Sequence, residues 1–457
     1  MDNHSVRRYF LFWTVVLALF APFAAHGQTP QPAERPAPSL TQPIVITRPV
    51  SAAPGPVDVV APNLEPTVAG VRGVLVETLD GKVVMEETAS ATFNPASGVK
   101  LATALAALRS FGPAHRFSTA VWTNGSFEKD TGTIHGDLIV SGRDPSFHYE
   151  HAVMMAEELN RLGVRNVTGD LIVAPRFTMN FDWSSQRSGD QLYDTLDSSR
   201  RSAAATRAWL DQRVVTGNTP SLPTTPSVVI AGAVYVDSVP AGSHLMLTHK
   251  SSKLVDVLKA LLCYSNNFMA ERVGDTMGGA EGVRQTMIKE FGVSPAEIKL
   301  ATTSGLGVNR VTPHAMMKIL RSLRLELAKY QMTVADVLPV AGIDPGTLEK
   351  RFTFTTSRGS VIAKTGTLIR TDGGASALIG QMRTASGETL LFVICNMYGS
   401  VVRFREYQDA LVTQIQSTHG GPAPFKYQAQ PLSLRLASTH FAGAGSASSE
   451  EYEPAPK

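Results

Sequence analysis

The chain has 457 residues, 43% of them apolar and 18% charged, with a formal net charge of +3 at pH 7. That length can bury a sizeable core in more than one domain, and the apolar content excludes a chain disordered throughout. So even a charge balance also excludes the strongly basic surface that nucleic-acid binding needs, and no nucleic-acid partner is expected.

Residues 1–27 read as an export signal: Arg7 and Arg8, the apolar run "YFLFWTVVLALFAPFAA", then the small residues Ala25 and Gly27. Without this segment the net charge is +2. The run "RRYFL" faintly resembles a twin-arginine signal, while the strongly apolar run favours the general secretory route. No cysteine follows the run, which argues against a lipid anchor, and no later stretch reaches the ~18 apolar residues of a membrane-spanning helix. A periplasmic or otherwise extracytoplasmic protein with no membrane span after signal cleavage is expected. Residues 28–66 are rich in proline and should form an extended tether.

The folded body opens at "GVLVETLDGKVVMEE", two alternating runs joined by Asp80-Gly81, which predict a hairpin. The alanine- and leucine-rich "FNPASGVKLATALAALRSFG" predicts a helix that stops at Gly112-Pro113. Residues 113–247 then change character: "GDLIV" occurs at Gly136–Val140 and again at Gly169–Val173, flanking the amphipathic "HAVMMAEELNRLG". Two similar strands around a helix predict a β-rich inserted domain. Residues 252–323 are helical in pattern, with Thr312 as N-cap and Pro313 at the first position of the last helix. "GSVIAKTGTLI", "ASALIGQMRTA" and "GETLLFVICNM" return to strands and complete the sheet begun near residue 70. The main folded body is therefore predicted over 67–112 and 248–417, and residues 418–457 are expected to be disordered. Cys263 and Cys395 are read as two separate buried thiols.

Three short motifs carry chemistry. A serine hydroxyl is a weak nucleophile until a base takes its proton, and Lys100 lies three residues beyond Ser97, on the same helical face. That spacing alone is uninformative, since Ser126 and Lys129 repeat it in a solvated loop. "CYSNNFMAER" adds Ser265 and Asn267, and "AKTGTL" adds Lys364, Thr365, Gly366 and Thr367. The order SxxK, SxN, KTG, each on the right kind of predicted element, makes coincidence a minor alternative. His148 and His151 have i,i+3 spacing but no third ligand, so they are read as a solvated helix start, and no metal or cofactor is assigned.

These motifs, with "FNPAS", "LTHKSSKL", "TSGLGVNRVTP" and "LPVAGIDPGTLEKRF", resemble the D-alanyl-D-alanine carboxypeptidase/endopeptidase family, the low-molecular-mass class C penicillin-binding proteins, over roughly residues 65–415. The resemblance implies an α/β fold of the penicillin-binding-protein/serine β-lactamase-like type, an antiparallel sheet plus a helical subdomain with a β-rich insertion. It also implies peptidoglycan stem peptides as substrate, and β-lactams as inhibitors. Ser97 would be the nucleophile, Lys100 its base, Ser265 a proton relay and Asn267 a clamp on Lys100 and the substrate amide. Lys364, Thr365 and Thr367 would take the terminal carboxylate, and the Ser97 and Thr367 N–H groups the oxyanion. The family commonly has Asp-Gly before "SGL", where this chain has Thr302-Thr303; "SGRDP" at Ser141–Pro145 and "APRF" after the second "GDLIV" also depart from its pattern. The alternatives are a serine β-lactamase, against which stands the lack of an ExxLN sequence over residues 268–363, and a catalytically weak wall-binding or β-lactam-sensing protein.

Overall fold

The structure, a computed structural model, describes residues 68–217 and 225–443. The expected export signal and tether lie outside these residues. Strands β1 (Val71–Thr78) and β2 (Val83–Glu87) form the predicted hairpin, and a 3-10 turn at Ala96–Val99 leads into α1 (Lys100–Phe111), which ends at Gly112. Then come β3 (Ser118–Thr123), β4 (Ser126–Glu128), β5 (Thr133–His135), β6 (Leu138–Gly142), α2 (Tyr149–Arg161), β7 (Asn166–Val167), β8 (Leu171–Val173), α3 (Ser185–Leu196), α4 (Ala203–Thr216), β9 (Val229–Ile230), β10 (Val234–Val236) and β11 (His244–Lys250). Four helices follow: α5 (Leu254–Tyr264), α6 (Asn267–Asp275), α7 (Gly279–Phe291) and, after the short β12 (Ile298–Lys299) and β13 (Arg310–Val311), α8 (Pro313–Ala328). The chain closes with β14 (Val361–Leu368), β15 (Ala375–Arg383), β16 (Thr389–Met397), α9 (Val401–Thr418), α10 (Leu432–Leu436) and β17 (His440–Gly443).

The main sheet has the order β14-β15-β16-β1-β2 and is antiparallel throughout. It joins the two ends of the body, with Val71 opposite Met397 and Thr78 opposite Leu390. β16 is central and flanked by helices on both faces, which is why "LLFVICNM" reads as a continuous apolar run and not an alternation. Its two faces feed separate cores. Leu391, Val393 and Cys395 pack with α1 and α8, whereas Leu390, Phe392 and Ile394 pack with Tyr407, Leu411 and Val412 of α9. α1 is buried on every side from Lys100 to Leu108. Small alanines let sheet and helices approach it closely, and each fully buried leucine contributes about 1.5–3 kcal/mol.

The second sheet has the order β10-β8-β6-β3-β11-β17. The repeated "GDLIV" strands lie side by side in it, parallel, with Leu138 opposite Leu171, Ile139 opposite Ile172 and Val140 opposite Val173. α2 provides the crossover that a parallel pair requires. This segment has its own core, which includes Val140, Phe147, Leu159 and Val173.

Two expectations need correction. The disorder expected from residue 418 does not begin there: Leu432 and Ala437 are buried, and β17 adds a strand to β11, with Phe441 opposite His249. A few well-spaced apolar side chains and an open strand edge fix this segment despite its weak periodicity. Residues 444–457 lie outside the described residues. The histidines of α2 are not a solvated start either. The His148 N–H donates to His151 Nδ1 in a capping box, and His151 is buried, its pKa pushed down to about 4 by desolvation. Cys263 and Cys395 are unpaired and buried, and burial pushes both thiols up to about 12. Among the described residues no helix is long and apolar enough to cross a membrane, and no cluster of three or more His, Cys, Asp or Glu could hold a metal.

Candidate active site

The 3-10 turn carrying Ser97 is wedged between the edge strand β14 and the loop at residues 303–307. Two glycines make that approach possible. A Cβ on Gly366 would stand 2.2 Å from the Pro95 carbonyl oxygen, and one on Gly305 would stand 1.9 Å from that of Ala96. Ala96 itself has φ 48°, a left-handed conformation that costs a non-glycine residue about 1–3 kcal/mol. Packing from both sides therefore holds the residue before the nucleophile in strain. The side chain of Ser97 remains partly accessible.

Lys100, on the first turn of α1, is completely buried. Its Nζ lies 2.9 Å from Ser97 Oγ, 2.7 Å from Asn267 Oδ1 and 2.6 Å from the Ser304 carbonyl oxygen. Desolvation lowers its pKa to about 7, against a smaller upward pull from the Glu271 carboxylate. A neutral amine has two N–H bonds and one lone pair. With the N–H bonds directed at Asn267 and Ser304, the lone pair is left facing the Ser97 hydroxyl, as a general base requires.

Ser265 and Asn267 reach the same point from a helix junction. Ser265 caps α5 in the left-handed conformation (φ 55°, ψ 40°), and the Asn266 side chain accepts the Met269 N–H to start α6. The sharp turn between the helices lets residues two apart both face Ser97. Lys364 Nζ donates to Ser265 Oγ at 2.9 Å and to the Thr365 carbonyl at 2.7 Å. Lys364 is fully buried, and desolvation, with the nearby Lys100 charge second, holds its pKa well below the usual lysine range. The site thus contains two Ser–Lys pairs, Ser97 with Lys100 and Ser265 with Lys364.

Ser97, Ser265, Asn267, Thr365 and Thr367 line a cleft of about 680 Å³. Its other walls are Gly346, Thr347, residues 349–351 and one face of α9, including Arg405, Glu406 and Asp409. Neither Lys100 nor Lys364 lines it. Ser126 sits exposed on β4, outside this cleft.

Three contributors were missed in the sequence. Glu271 accepts the Ser304 N–H at 2.9 Å and the Thr303 hydroxyl at 2.8 Å, so it sets the carbonyl that contacts Lys100. Its position one helical turn beyond Asn267 was the available signal. Thr303, one of the two residues replacing the family Asp-Gly, is fully buried; its hydroxyl oxygen also lies 3.0 Å from the Ala270 carbonyl oxygen, and its own carbonyl accepts from Thr103 at 2.7 Å. The replacement therefore supports the site from behind and adds nothing to the cleft. Arg405 donates to Thr367 Oγ1 at 2.9 Å. No motif marks it.

The profile of the D-Ala-D-Ala carboxypeptidase 3 (S13) family matches residues 58–194 and 225–417. A D-alanyl-D-alanine carboxypeptidase from Actinomadura sp. (strain R39) is 28% identical over 461 aligned positions, covering 79% of this chain and 84% of that protein. Among solved structures, a predatory endopeptidase from Bdellovibrio bacteriovorus, acylated by penicillin G and in complex with an immunity protein, matches with a TM-score of 0.64 at 21% identity, covering 78% of this chain and 95% of that one. Penicillin binding protein 4 from Haemophilus influenzae, complexed with a β-lactam, matches with a TM-score of 0.59 at 20% identity, covering 77% and 98%. These likenesses concern the fold, and the penicillin-binding-protein architecture expected from the motifs is the one observed.

Proposed function

The chain belongs to the D-Ala-D-Ala carboxypeptidase 3 (S13) family, and from that premise we propose that Ser97 is the nucleophile of a serine D-Ala-D-Ala peptidase, with Lys100 as its base. The protein is a serine-type carboxypeptidase/endopeptidase of peptidoglycan stem peptides, open to acylation by β-lactams. The observation that carries the residue assignment is the Ser97–Lys100 contact of 2.9 Å, made by an amine whose pKa burial lowers to about 7.

Ser97 Oγ attacks the carbonyl of the penultimate D-alanine as its proton passes to Lys100 Nζ. The Ser97 and Thr367 N–H groups take the oxyanion. Collapse breaks the peptide bond, and the leaving amine takes a proton from the Ser265 hydroxyl, which is replaced by the proton that Lys100 took from Ser97. Water then attacks the ester by the reverse route and frees Ser97. Asn267 holds Lys100 and reaches the substrate amide, while Thr365 and Thr367 bind the terminal carboxylate. The segment at residues 1–27 supports an extracytoplasmic location, where peptidoglycan is found.

Incubating the purified protein with a peptide ending in D-Ala-D-Ala should release free D-alanine. Ser97→Ala should release none and take no labelled penicillin. An adduct mapped to another serine, or no adduct on the wild type, would refute the assignment. A chromogenic cephalosporin should give a burst near one equivalent and then a slow phase. Sustained turnover at ~10 per second or more would instead identify a β-lactamase.

A further inference from the structure

The proposed reading leaves a question of charge. A peptide ending in D-Ala-D-Ala brings a carboxylate to Thr365 and Thr367, yet the KTG lysine does not line the cleft. Lys364 is fully buried, turned onto Ser265 and absent from the cleft wall. Three cations line the cleft: Lys350, Arg351 and Arg405. Arg351 is committed to Asp409, with Nε 2.9 Å and 3.2 Å from its two carboxylate oxygens and Nη2 2.5 Å from one of them. Of the three, only Arg405 has a hydrogen bond to a KTG-strand threonine, 2.9 Å from Thr367 Oγ1. The neighbouring Glu406 is turned to Arg403, at 2.9 Å.

Resting on the D-Ala-D-Ala peptidase reading, we infer that Arg405 supplies the positive charge that recognises the substrate's C-terminal carboxylate. Its chemistry fits. Arg405 is exposed on α9, so its guanidinium can reach an incoming anion. Nη2 spends one of its two N–H bonds on Thr367 Oγ1, and its second N–H, paired with that of a neighbouring guanidinium nitrogen, remains for the two-pronged contact that guanidinium makes with a carboxylate. The bond also orients Thr367. Its hydroxyl proton now goes to the Gly366 carbonyl at 2.8 Å. With Arg405 on the oxygen, that proton can turn to the carboxylate without leaving the oxygen unpartnered. Arg405 lies 38 residues beyond Thr367, so this contact depends on α9 packing across the sheet beside β14.

The test compares two peptides, one ending in D-Ala-D-Ala and the same peptide with its terminal carboxylate amidated. Wild type should prefer the acid. Arg405→Gln should lose about 10- to 100-fold in kcat/KM on the acid, mainly through KM, and under about threefold on the amide. Arg405→Lys should recover part of the loss on the acid alone, because it restores the charge but not the fork. Equal losses on both peptides, with wild type active, would make Arg405 a prop for Thr367 and overturn the inference. No loss on either would overturn it too. If wild type cleaves neither peptide, releasing no D-alanine from the acid and no D-alaninamide from the amide, and takes no penicillin at Ser97, the peptidase reading itself falls, and this inference with it.

Discussion

The pH dependence of Ser97 acylation follows from the burial of Lys100. Desolvation lowers this amine from 10.5 to about 7, a shift worth about 5 kcal/mol between its charged and neutral forms. The neutral fraction is then roughly a tenth at pH 6, half at pH 7 and nine tenths at pH 8. The rate constant for acylation by a fluorescent penicillin, whose carboxylate stays ionised over this range, should therefore rise about tenfold from pH 6 to pH 8 and level off. A lysine at its ordinary value would give about a hundredfold rise over the same span, with no plateau. Glu271→Gln supplies the second arm. The carboxylate favours the cation, so its removal should move the midpoint to lower pH; Gln retains one acceptor oxygen for the Ser304 N–H. Stopped-flow measurement at constant ionic strength reads both profiles. A flat profile, a hundredfold rise, or a Glu271→Gln midpoint displaced upward would refute Lys100 as the base.

The same burial has a cost in stability. The folded-state pKa of Lys100 lies below its unfolded value, so the penalty is full below about pH 7 and fades as pH rises toward 10.5. Lys100→Met should therefore gain stability relative to wild type more at pH 6 than at pH 10, by ~2–5 kcal/mol in thermal or denaturant unfolding; a pH-independent difference would contradict the burial argument. Gly305→Ala should slow acylation at least tenfold while the protein still folds, since its Cβ would stand 1.9 Å from the Ala96 carbonyl oxygen and 2.9 Å from Ser97 N, at φ +86°; unaltered penicillin labelling would show that the nucleophile turn is not fixed from this side. The third buried lysine is structural: Lys259 Nζ lies 2.7 Å from Asp344 Oδ2 and donates to the Ala335 and Leu338 carbonyls at 2.8 Å and 2.6 Å. Asp344→Ala should cost about 3–5 kcal/mol in chemical denaturation, and a loss under 1 kcal/mol would mean the cation finds another partner.

Ser97, Lys100, Ser265, Asn267 and Lys364 were legible because each lies in a motif only a few residues long on a predictable element. Alternation and apolar runs located the main-sheet strands, and caps located α1 and α8, since these depend on neighbours close in sequence. The repeated "GDLIV" signalled two strands but not that they pair with each other. The ordering of residues 418–443 was invisible because β17 is held by the edge of β11 and not by its own periodicity.

By itself the sequence determined the chemistry on offer: a serine, two lysines, a second serine, an asparagine and a strand of threonines, in an order that names a reaction type. Tertiary structure alone decided how those groups are electrically tuned and which ones line the cleft. A lysine's pKa depends on the water stripped from it and on the carbonyls and carboxylates around it, and these come from Asn267, Glu271 and Ser304, between 167 and 204 residues away from Lys100 for the two that it bonds directly. The same holds for charge in the cleft. The sequence presents Lys364 as the cation beside the threonines; packing turns it inward onto Ser265 and brings Arg405 across from α9, because burial and helix placement, set by contacts distant along the chain, decide which cation faces solvent.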